Sequence, residues 1–205
     1  GRLAEEIVNV EIPQRKGDAK VVAQDEFLKP TSTIEGLGKL RAAFKKEGSV
    51  TAGNSSGLND GAAAVIVASA DAVKKYNLKP LARIVSSAVV GVSPRIMGIG
   101  PVEASNKALA KAGLKMEDMD IIELNEAFAA QSIACIREWG LQDDDARINP
   151  NGGAIAIGHP LGVTGARIAY SAALELNKTQ KRYALVTMCI GVGQGYAAIL
   201  ERFQA

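Results

Sequence analysis

Three side chains with useful chemistry lie far apart along the chain: Asn125, His159 and Cys189. His159 is the only histidine among the 205 residues. It sits in NPNGGAIAIGHPLGVTGAR (149–167), with Gly152, Gly153 and Gly158 before it and Gly162 and Gly165 after it. Glycines allow positive φ and close backbone approach, and Pro160 confines the histidine to extended geometry. Beyond Gly162, the spacing of Ala166, Ile168, Ala169, Ala172 and Ala173 is helical. The stretch reads as a short buried strand, a tight loop presenting an imidazole, and a helix whose N-terminus aims at the same spot, which suits anions and developing oxyanions. The plainer alternative, a histidine hydrogen-bonded within a turn, stands level with it.

Cys189 lies in CIGVGQG, where Gly191, Gly193 and Gly195 keep the backbone slim and leave amides available. A thiol there can serve as nucleophile or as acid/base, and nearby amides can stabilise negative charge. The rival reading is a buried apolar cysteine, the commoner fate of a free thiol. Cys135, set among Ile133, Ala134 and Ile136, fits that reading much better. Asn125 and Glu126 follow MEDMDIIEL, where Ile121–Leu124 reads as a strand. An amide at a strand's carboxyl end can fix a water or a carbonyl, or it can simply cap the helix FAAQSIACIREWG that follows.

These loops need a scaffold, and the sequence supplies an α/β pattern. Residues 81–92 read as a long strand, and Pro101 opens a helix that Gly113 ends. RYALVTMCI and YAAILERF read as a hairpin around GVGQG. From residue 81 the expected order is β-α-β-α-(short β)-α-β-β, one layered unit with a buried, parallel-type sheet. Upstream, residues 1–30 read as irregular and partly extended. Thr31–Thr33 cap a helix expected to run to about Phe44. TAGNSSGLNDGAAA (51–64) is a polar, glycine-bearing loop feeding an apolar strand over 62–69. SADAVKKYNL reads as a short capped helix.

Composition narrows the function classes. Apolar residues make up 47% and the formal net charge is +2, so electrostatics point to no partner and no block of like charges suggests nucleic acid or a membrane surface. No apolar run approaches the roughly 18 residues of a spanning helix, and no leader is visible. Two cysteines fit a reducing cytoplasm or organelle matrix. No His/Cys cluster has metal-ligand spacing.

Taken together, NEAFA (125–129), GGAIAIGHPLGVTGAR (152–167) and CIGVGQG (189–195) resemble the three C-terminal active-site motifs of the thiolase family. TAGNSSGLNDGAAA and MGIGP (97–101) match as well, and the five lie in the family's order over essentially the whole chain. The resemblance implies a thiolase-like layered α-β-α fold: the end of a loop domain over 1–58, the last strand and helix of the N-terminal half over 59–78, and the C-terminal domain over 79–205. It implies reversible Claisen condensation and thiolysis of 3-ketoacyl-CoA, with coenzyme A thioesters as substrates, no metal or redox cofactor, and dimeric or tetrameric assembly.

Residue by residue, the resemblance implies that His159 activates the acyl-accepting thiol and, with a water held by Asn125, forms one oxyanion hole. Cys189 is the acid/base at the α-carbon, and the Gly191 amide contributes to a second oxyanion hole. Ser56 touches the pantetheine arm of CoA, and Ala127 and Phe128 line its tunnel. Two departures stand out. The family's nucleophilic cysteine, in a motif of the C-x-S-G kind, has no counterpart here, so it is expected on an N-terminal half, either as a separate chain or as a missing part, and this chain alone is expected to be inactive. Val192 stands where the family commonly has glycine. A decarboxylating or hydroxymethylglutaryl-type condensing enzyme is disfavoured by CIGVGQG. A non-catalytic CoA-binding or scaffold subunit of thiolase shape remains the rival.

Overall fold

A computed structural model describes residues 1–204. Its centre is a four-stranded sheet in the order β3 (Ala82–Gly91), β6 (Gln194–Arg202), β5 (Tyr183–Ile190), β4 (Ile121–Leu124). Before it come a small hairpin of β1 (Val10–Ile12) and β2 (Lys20–Val22) and the short helices α1 (Ile34–Gly38) and α2 (Ala70–Tyr76). The later helices are α3 (Gly100–Ala112), α4 (Ala129–Glu138), α5 (Ala154–Ile157) and α6 (Thr164–Thr179).

The sheet is the middle of three layers. Alternate side chains along a strand point to opposite faces. Leu185, Ile199, Ile122 and Leu124 therefore pack with Ala104 and Ala108 of α3 and Cys135 and Ile136 of α4. Ala184, Val186, Leu200 and Ile121 pack on Ile168, Ala172 and Leu176 of α6. All four residues of β4 are buried, as expected of a strand covered on both faces. Alanines on α3 and α6 bring those helices close to the sheet. Pro101 lies in the first turn of α3 and Gly113, at φ +67°, ends it. Among the described residues no helix is long and apolar enough to cross a membrane.

Several expectations are corrected. The sheet is mixed rather than parallel, since only β4 and β5 run parallel. The helix capped by Thr33, whose hydroxyl accepts from the Gly36 amide at 3.0 Å, stops at Gly38. Gly36 and Gly38 lie within that helix, and glycine is about 1 kcal/mol worse than alanine there. The apolar run 62–69 forms no strand: among the described residues no backbone ladder pairs with it. The stretch before His159, expected to hold a short buried strand, holds one helical turn instead, Ala154–Ile157. The Glu126 carboxylate accepts from the Ile155 amide at 3.1 Å, so it caps that turn. Residues 94–99 form a 3-10 turn.

Candidate active site

Asn125 emerges from the carboxyl end of β4, its amide donating to the Thr187 carbonyl of β5 at 3.0 Å. The His159 loop lies over this strand end, held from three sides. The His159 amide donates to Asn59 Oδ1 at 2.9 Å, and a parallel bridge joins His159 to Leu58. The Arg167 guanidinium donates to the Gly158 carbonyl at 2.8 Å. Gly158 has φ +89° and a Cβ there would press on Asn59 Oδ1 at 2.6 Å, so glycine is required both for its torsion and for room.

The imidazole is fixed at both nitrogens. Nδ1 lies 2.7 Å from Thr164 Oγ1, and that hydroxyl spends its own hydrogen on the Pro160 carbonyl at 3.1 Å. Thr164 is thus an acceptor, Nδ1 carries the proton, and Nε2 presents a lone pair. Asn125 Nδ2 donates toward Nε2 at 3.3 Å, a long bond that an incoming thiol can displace. Burial, reinforced by the Arg167 charge, holds the His159 pKa below its ordinary value of 6.5. The ring is therefore a neutral base at physiological pH.

Cys189 lies near the end of β5, the strand beside β4, and is buried. Burial pushes its thiol above the ordinary range, so it stays protonated near neutrality and suits a proton donor better than a standing nucleophile. Gly191 opens the turn between β5 and β6. Val192 follows with φ +65°, a torsion that is strained for a β-branched residue. Among the described residues, Asn125 and His159 meet directly, whereas no hydrogen bond joins Cys189 to either.

Ser56, Ala127 and Phe128 are brought together in a second cluster. The Ser56 amide donates to the Ala127 carbonyl at 3.0 Å, and Ser55 bridges Phe128 in antiparallel register. The Phe128 ring meets Phe44 edge-on, with centroids 6.0 Å apart. Glu126 does not cap α4, whose N-cap is Phe128; it accepts from Asn149 Nδ2 at 2.9 Å and caps α5. Sequence reasoning missed Thr164, Asn59 and Arg167. Thr164 and Arg167, five and eight residues after the histidine, lie in the same motif and were the two within local reach. The tie to Asn59 spans a hundred positions.

With this geometry in view, comparison with known proteins is informative. The family model "Thiolase, C-terminal domain" matches residues 78–202, and "Thiolase, N-terminal domain" matches 1–71. A β-ketoadipyl-CoA thiolase of Acinetobacter baylyi is 58% identical over 202 residues, covering 98% of this chain and 50% of the relative. Human mitochondrial 3-ketoacyl-CoA thiolase superposes with a TM-score of 0.89 at 50% identity, over 96% of this chain and 48% of that one. A structure of the human enzyme in complex with CoA gives 0.86 at 53% identity, over 90% and 46%. The chain spans about half the length of the relatives it matches.

Proposed function

Because the chain belongs to the thiolase family, we propose that it supplies the acid–base and oxyanion-stabilising part of an acetyl-CoA acyltransferase, with the nucleophilic cysteine carried by an N-terminal half. That half is either a second chain or the preceding part of a longer one. The observation that carries this reading is the Asn125–His159 contact at the carboxyl end of β4, with Nε2 unprotonated.

In cleavage, His159 Nε2 takes the proton of the nucleophilic thiol, and the resulting thiolate attacks C3 of a 3-ketoacyl-CoA. The C2–C3 bond breaks, its electron pair leaves as the enolate of acetyl-CoA, and the Cys189 thiol protonates C2. The coenzyme A thiol then gives its proton to the Cys189 thiolate and attacks the acyl-cysteine, whose sulfur leaves and takes back the proton held by His159. Condensation is the reverse, with Cys189 removing the α-proton. Asn125 and His159 stabilise oxygen charge at one carbonyl, and the Gly191 amide contributes at the other. Ser56, Ala127 and Phe128 contact the pantetheine arm of CoA. The complex of the human relative with CoA supports this ligand.

The name of the Acinetobacter relative makes β-ketoadipyl-CoA the first substrate to assay beside acetoacetyl-CoA. Strongly exposed apolar side chains support the need for a covering half: Ile66 is 90% exposed, Leu58 87% and Val67 76%. That half would give the 62–69 run its missing strand partner.

The test uses intact mass in the assembled protein. Cys189→Ala is expected to abolish condensation while leaving the nucleophilic cysteine acylated by acetyl-CoA. Loss of acylation to the same degree would contradict the role given to Cys189. CoA binding with no acylation and no turnover, in wild type as in the variant, would make this a CoA-binding subunit instead.

A further inference from the structure

The peptide group that joins Gly158 to His159 is held at both ends. Its N–H donates to Asn59 Oδ1 at 2.9 Å, and its carbonyl accepts from Arg167 Nη2 at 2.8 Å. Gly158 has φ +89°, and a peptide beside a glycine can turn over because no Cβ obstructs it. Here a turned peptide would set its carbonyl against the Asn59 oxygen and its N–H against a guanidinium that can only donate. The two contacts thus fix one peptide plane, and with it the direction in which the chain carries the imidazole. Thr164 meets the ring itself, whereas Asn59 and Arg167 meet its backbone.

Asn59 lies on a segment that also borders the proposed CoA arm. The Ala129 amide donates to the Asn54 carbonyl at 2.9 Å, and the Ser56 amide to the Ala127 carbonyl at 3.0 Å. Ser55 bridges Phe128, and Leu58 bridges His159. Beyond them, a Cβ on Gly61 would meet Pro160 Cβ at 2.9 Å, so the segment stays against the loop as far as the proline. Residues 54–61 therefore run as one strap from the loop after β4 to the His159 loop. Nothing in the chemistry given to Asn125, His159, Cys189 and Gly191 uses Asn59.

We propose that Asn59 is a positioning residue for the base. By locking the Gly158–His159 peptide it sets where Nε2 lies relative to Ser56, three residues earlier on the same strap, and so relative to the CoA arm. Its own side chain meets the backbone of the loop and acts on the reaction only through the imidazole.

The proposal rests on the thiolase reading for the nucleophilic cysteine, and the test separates the two. In the assembled enzyme, iodoacetamide alkylation of that cysteine is followed near neutral pH by peptide mass. His159→Ala is expected to slow it, because nothing then takes the thiol proton. Asn59→Ala is expected to slow it about tenfold or more, within the roughly hundredfold that a misplacement of about 1 Å can cost. Asn59→Asp, which keeps the acceptor, is expected to stay near the wild-type rate. In a His159→Ala background Asn59→Ala is expected to add nothing, since a residue that acts through the imidazole loses its influence with it. A wild-type rate in Asn59→Ala, or equal slowing in both backgrounds, overturns the proposal and leaves the thiolase reading standing. Alkylation unchanged by His159→Ala would sink the thiolase assignment of the base and the proposal with it. If Asn59→Ala does not assemble, a crystal structure of the assembled wild type decides: a Gly158–His159 peptide bonded to both Asn59 and Arg167 supports the proposal, and one that is turned over or free of Asn59 overturns it.

Discussion

Asn125 does two things that one substitution can separate from packing. Its Nδ2 meets the imidazole at 3.3 Å, and in the proposed chemistry it also stabilises a substrate oxygen. Asn125→Ala in the assembled enzyme is expected to lower kcat by about 10²–10³, the cost of one oxyanion donor, with KM changed little; steady-state kinetics check this. His159 carries a pH signature. Its folded pKa lies below 6.5, so the unfolded chain takes up a proton first as pH falls. Its contribution to stability is therefore complete above 6.5 and declines below it, down to the folded pKa. Melting temperatures across that range should fall more steeply for wild type than for His159→Asn. Parallel curves would mean that the ring is not held neutral by burial.

The hairpin of β5 and β6 is the element whose sequence and backbone agree least. Val192 holds φ +65° while 83% exposed, so nothing packs its side chain to offset the torsion. Val192→Gly is expected to raise stability by about 0.5–1 kcal/mol, strain relief exceeding the added chain entropy. Equal or lower stability in a denaturant titration would contradict that. Gly195 has the opposite requirement: a Cβ there would run into the Gly100 carbonyl at the start of α3. That contact joins the MGIGP and CIGVGQG motifs in space, and Gly195→Ala should cost about 1–3 kcal/mol by overpacking. Strand and helix identities were legible wherever burial was periodic and ends were marked, as in α3 between Pro101 and Gly113. The short strand expected before His159 is the helical turn Ala154–Ile157, because a run of four apolar residues suits either state. What decided it was the Glu126 carboxylate, supplied from twenty-nine positions earlier in the chain.

Over the molecule as a whole, burial divides at about residue 78. The layered sheet holds both core clusters, whereas α1, α2 and the small hairpin bury no residue fully. The motifs in the sequence were enough to reveal the family and the Asn125–His159 pair. They did not reveal the 62–69 segment's state, because a strand is a property of two segments and an apolar run alone does not name its partner. Nor did they reveal Asn59, Arg167 and Thr164 as the frame of the imidazole, since these contacts depend on how loops meet. The most direct test of the account is CoA-dependent cleavage of acetoacetyl-CoA by the purified chain, alone and after assembly with an N-terminal thiolase half bearing its cysteine. The account predicts no turnover alone and robust turnover on assembly, lost again with His159→Ala. Robust turnover by the chain alone, or none from the verified assembly with either acetoacetyl-CoA or β-ketoadipyl-CoA, would contradict it.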